Sequence, residues 1–141
     1  MAILLVLGLM LYPAVEKARE AARRSGCKGG LFFLRFALDN YHEAYGCFPP
    51  PYIADAEGRP MHSWRVLILP FIDQAPLYNQ YRFDEPWDGP NNRQLSVRIV
   101  SNDYSFYHCP SDRPSTGKLD ATMTSYVAVV GRETEIGRAH V

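Results

Sequence analysis

Residues 1–46 limit what this chain can fold into. Ala2–Val15 carries no charge. Glu16-Lys-Ala-Arg-Glu-Ala-Ala-Arg-Arg24 is charged and rich in alanine, and an amphipathic stretch then runs to Gly46, just before Phe48-Pro-Pro-Pro51. The pattern predicts one long helix with an apolar end, a polar neck and a second half docked on a globular head. Glu16 with Arg19, and Glu20 with Arg23 and Arg24, are spaced to support it. Pro13 is expected to kink the helix rather than end it. Gly29-Gly30 reads as a hinge or a break. Cys27, Leu31, Leu34, Leu38, Tyr41 and Tyr45 recur at alternating intervals of four and three, and this stripe is expected to face the head, with Phe32, Phe33 and Phe36 widening it. Ala14, Ala18, Ala21, Ala22 and Ser25 form a strip that lets another helix approach closely. Gly46 is the expected C-cap.

The chain has 141 residues, with 15 basic and 15 acidic side chains. That length supports one domain, and the balanced charge excludes a basic nucleic-acid surface. The expected organisation is an apolar helix and neck over 1–28, a head over 29–131 and a disordered tail over 132–141. Three cysteines occur without a CxxC pair. Cys27 and Cys47 on one helix would lie about 30 Å apart, so an intrachain bridge would use Cys109. A Cys27–Cys109 bridge and three free thiols both remain open.

Beyond Gly46, Phe48–Tyr52 should be extended and Ala54–Pro60 a loop. Ser63 is placed to cap a short helix disturbed by Pro70, and Gln74–Tyr81 suits a second with Pro76 near its first turn. Asn91 or Asn92 is expected to cap a helix running to about Val100. Tyr104–Cys109 and Thr124–Val130 alternate as strands.

Several stretches together resemble the planctomycete pilin-like proteins of domain-of-unknown-function family 1559. They include Leu11-Tyr-Pro-Ala-Val15 with the neck, His62-Ser-Trp-Arg-Val-Leu67, Asp73-Gln-Ala-Pro-Leu-Tyr-Asn-Gln-Tyr81, Trp87-Asp-Gly-Pro-Asn-Asn92, Cys109-Pro-Ser-Asp112 and Thr124-Ser-Tyr126. The resemblance implies an α+β, pilin-like fold, in which a long N-terminal helix packs on a small head with an antiparallel sheet and short helices. Family members begin with a short basic prepilin-type leader, so the apolar run is expected to be the latter part of a longer one. That leader would carry the cytoplasmic positive charge, which the neck, read alone, places on the wrong side. The tail Glu135-Ile-Gly-Arg-Ala-His-Val141 back-translates onto a common sequencing adapter and is expected to be an assembly artefact.

Catalytic patterns are missing from the sequence. There is no HExxH, no GxSxG and no phosphate-binding glycine loop, and His42, His62 and His108 have no ligand spacing. The chain is therefore expected not to be an enzyme and to need no cofactor. Asp84, Glu85, Asp88, Asn91 and Asn92 offer oxygen ligands for calcium, although turn and cap roles account for them better. Trp64 and Trp87 form a candidate binding surface, with core and loop packing the simpler role. Ala14, Ala18 and Ala21 are the candidate assembly residues. The expected role is a structural pseudopilin or minor-pilin-like subunit of a type II secretion or type IV pilus-like assembly. Its expected partners are the inner membrane, its own copies and other pilin-like subunits. The alternative is a membrane-tethered extracytoplasmic protein that binds a solute or polymer.

Overall fold

The computed structural model describes residues 2–101, 106–112 and 124–129, with side chains described from residue 11 to 99 and in the last two segments. The first element, α1, spans Ala2–Tyr45 and runs through Pro13 and through Gly29-Gly30 without interruption. The glycine pair is neither a hinge nor a break, because flanking residues of high helix propensity outweigh the roughly 1 kcal/mol that each glycine costs. Gly46 ends α1 with φ 74°, and its N–H donates to the His42 carbonyl at 2.8 Å. Only a residue free of a Cβ adopts that left-handed turn cheaply.

Strands β1 (Tyr52–Ala54) and β2 (Pro60–Ser63) form an antiparallel hairpin that pairs Tyr52 with Ser63 and Ile53 with His62. The predicted 54–60 loop is its turn. There the Asp55 carboxylate accepts from the Glu57 and Arg59 N–H groups and from the Arg59 side chain, while Gly58 takes φ 82°. Helix α2 (Trp64–Leu67) follows with Ser63 as its N-cap. Pro70 is the second residue of a 3₁₀ turn over Leu69–Ile72, Pro76 lies in the first turn of α3 (Ala75–Tyr78), and α4 covers Pro90–Ser101. The architecture is α+β: one long helix and a small head containing a two-stranded antiparallel sheet and short helices.

The core joins Leu34 and Ala37 of α1 to Trp64, Ile68, Leu69, Ile72, Leu77, Leu95 and Tyr107. The expected stripe faces the head at Cys27, Leu34, Leu38 and Tyr41 and is corrected at Leu31 and Tyr45. Leu31 is 52% exposed and Tyr45 is 63% exposed. Gly30, Phe33 and Ala37 take the inner face instead, with Phe33 stacked on Phe106 at 4.0 Å. Gly30 and Ala37 sit where the chain approaches most closely, beside Leu34, which is buried in the same face.

Two further expectations change. Phe106–Cys109 and Thr124–Val129 are not in strands, although the Ser125 N–H donates to the Tyr107 carbonyl at 2.8 Å. Tyr104, Ser105 and Val130 lie outside the described residues, as does the 132–141 tail. Asn91 and Asn92 sit inside the first turn of α4 rather than ahead of it. Among the described residues no helix is long and apolar enough to cross a membrane.

Candidate functional site

The segments 106–112 and 124–129 are tied to α1 at several points. Cys27 and Cys109 form a disulfide, with Cα atoms 4.7 Å apart and a separation of 82 positions in sequence. Cys47 is a free, half-buried thiol. The Tyr126 hydroxyl donates to the Cys27 carbonyl at 3.0 Å, and the Ser111 hydroxyl to Glu20 at 3.0 Å. Hydrogen bonds to Arg23, Ser111 and Arg24 hold the Glu20 carboxyl below its usual range. Arg65 donates to the Tyr126 carbonyl and to Ser63 Oγ, and stacks over Trp64 at 4.8 Å. Burial lowers the guanidinium pKa.

These ties leave an apolar groove of about 480 Å³ between α1 and residues 126–129. Leu34, Leu38, Phe48 and Trp64 line its floor, Val127 and Val129 its outer wall, and the Arg35–Asp39 pair its rim. A concave apolar surface of this size can take a small ligand or a side-chain cluster. The sequence pointed to Trp64 but not to the opposite wall, which comes from a segment about sixty residues further along.

The candidate ligand residues separate. The Glu85 carboxylate accepts from the Asn91 and Asn92 N–H groups at 2.9 and 2.6 Å and so caps α4. Asn92 is fully buried: its amide donates to the carbonyls of Arg82, Glu85 and Pro86, and its oxygen accepts from the Arg82 N–H. A Cβ on Gly89 would meet Glu85 Cδ at 2.9 Å, so the glycine makes room for the cap. Asp84 and Asp88 point to solvent. The set proposed for calcium is thus spent on a helix start, and among the described residues no cluster of three acidic, histidine or cysteine side chains could hold a metal.

Trp64 is buried and Trp87 is 50% exposed on the loop before α4, so the two do not make one exposed platform. His62, given no role from sequence, is buried between the Tyr81 hydroxyl at Nδ1 (2.9 Å) and the Phe83 carbonyl at Nε2 (3.2 Å). It joins β2 to the chain before α4. His42 is exposed beside Phe48. Ala14, Ala18 and Ala21 are exposed on α1.

No curated protein and no solved structure matches the chain. The profile of one family, described as a protein of unknown function (DUF1559), matches residues 16–140. The matched stretch includes α1 from Glu16 onward and every element of the head, and the chain therefore belongs to the DUF1559 family.

Proposed function

We propose that this protein is a structural, pilin-like subunit, a pseudopilin or minor pilin that assembles through α1. The observation that carries the reading is that, among the described residues, α1 is exposed from Leu11 to Val15 and at most positions up to Ala22. Leu11, Tyr12 and Val15 are exposed, and so are Ala14, Ala18, Ala21 and Ala22. Among the described residues the first hydrogen bond from the head to α1 is that of Ser111 to Glu20. A helix that leaves bulky apolar residues in water along one half is stabilised by lipid or by another protein surface. The Cys27–Cys109 disulfide supports a head facing an oxidising compartment, with the apolar end held at the inner membrane.

Ala14→Trp and Ala18→Trp test the reading by sedimentation and electron microscopy. Each should abolish assembly while near-ultraviolet circular dichroism of the head stays unchanged. Assembly equal to the unsubstituted chain would sink it.

The groove favours a second reading, a tethered binding protein for an apolar solute or polymer segment. An apolar dye displaced from the groove by candidate ligands, and lost with Leu38→Arg, would support it. Dye binding unaffected by that change would remove it.

A further inference from the structure

A second stripe runs along α1 on the side away from the head. It starts with Leu11 and Val15, passes through Ala18, Ala22, Ser25 and Gly29, and ends with Phe32 and Phe36. The intervals alternate between four and three throughout, which is the spacing of a helix–helix seam. All eight residues are exposed, Phe32 by 72% and Phe36 by 54%. The seam is bulky at both ends and small in the middle. Nothing among the described residues covers it. A Cβ on Gly29 would meet no atom within 4 Å, whereas one on Gly30 would meet the Tyr126 hydroxyl at 3.1 Å. A helical glycine costs about 1 kcal/mol relative to alanine, and at Gly29 the head offers no return for that cost.

Resting on the assembly reading above, we propose that a second copy of α1 covers this face, parallel and displaced so that Phe32 and Phe36 of one copy seat on Ala18 and Ala22 of the next. The displacement is 32 minus 18, or 36 minus 22, which is 14 residues in both cases. Two heptads correspond to about 21 Å. Leu11 and Val15 of the second copy then meet Ser25 and Gly29 of the first. At each of these four contacts a bulky residue faces a small one, and the hole that receives Phe36 is built from Ala18, Ala21, Ala22 and Ser25.

Charge selects the same register. Glu43 of the first copy packs at Gly29 of the second, beside its Lys28. Both residues are exposed, and among the described residues neither has an ion pair within its own chain. Pairing without displacement sets Glu43 against the other copy's Asp39 and Glu43. It also stacks phenylalanine on phenylalanine, which holds the small residues apart. Antiparallel pairing either repeats the bulky-on-bulky contact and brings Lys28 to Arg19, or seats Phe36 on Ala18 and sets Arg35 against Arg19. In the displaced pair, Phe32 and Phe36 of the second copy stay uncovered, so the contact does not close on itself.

The test uses the full chain with Glu43→Lys, Lys28→Glu and both together, followed by sedimentation. Each single change should weaken association about fivefold, and the double change should restore it. A photo-cross-linking residue at Phe36 should mark residues 18–25 of another copy. A double variant no better than the singles, or adducts at residue 36 or 11 of the other copy, would overturn the register. If Ala18→Trp still abolishes assembly in that case, the assembly reading stands alone. A chain that stays monomeric at all concentrations removes both.

Discussion

The hydroxyl of Tyr126 reaches the backbone carbonyl of Cys27 at 3.0 Å, crossing α1 directly over Gly30. A segment near the C-terminal end is thereby held one turn from the disulfide that joins Cys27 to Cys109. The two glycines at this point have different reasons, and this separates them experimentally.

Gly29→Ala should raise the stability of the monomeric chain by about 0.5–1 kcal/mol, since the new methyl meets nothing and helix propensity improves. Gly30→Ala should lose that gain, because the methyl crowds the Tyr126 hydroxyl and the Phe106 carbonyl. Urea midpoints of the two variants, measured at dilution, check this. Equal stabilisation would mean that Tyr126 does not hold its place over Gly30.

Reducing the disulfide, or changing Cys27 and Cys109 to alanine, should cost roughly 4 kcal/mol, given the length of the loop it closes. Denaturant titrations with and without reductant measure the loss. Amide exchange should rise most in 106–112 and 124–129, the segments that the bridge fastens to α1. Unchanged exchange there would show that the hydrogen bonds of Tyr126 and Arg65 suffice.

Asn92→Ala should destabilise the chain by about 3 kcal/mol. It strands the carbonyls of Arg82 and Glu85 together with the Arg82 N–H. Glu85→Ala should cost about 1 kcal/mol as a lost helix cap. Added calcium should not rescue either variant. A calcium-dependent rise in Tm that Glu85→Ala removes would return the metal reading to this loop.

Alkaline pH should weaken the fold. Burial, helped by the charge of Glu85, pushes the Tyr81 phenol up to about 12. Burial moves Tyr107 the same way, against the pull of Arg65. An unfolded tyrosine ionises near 10. The unfolded chain therefore loses these protons first, and stability is intact below about pH 10 and falls as pH rises towards 12. Tyr81→Phe should flatten part of that fall while lowering the plateau, because the hydrogen bond to His62 is lost. A slope unchanged by Tyr81→Phe would place the titration elsewhere.

Local sequence determined the elements whose causes lie within a few residues. The charge pairs and apolar periodicity specify α1, Gly46 ends it, Ser63 starts α2, and Pro70 and Pro76 open the short turns that follow. Features built from distant pieces were decided only in the tertiary structure. The inner face of α1 kept Leu34 but turned from Leu31 and Tyr45 towards Gly30, Phe33 and Ala37, where Tyr126 closes over the glycine and Phe106 stacks on the ring. The residues that resembled a calcium set became the cap of α4, since a carboxylate seven residues upstream could fold back on the free N–H groups. The groove exists because the Cys27–Cys109 bridge and the Tyr126 hydroxyl draw a remote segment to α1. Periodicity along a helix identifies residues that share a face. Which face meets the head depends on the size and hydrogen bonding of whatever arrives from the rest of the chain.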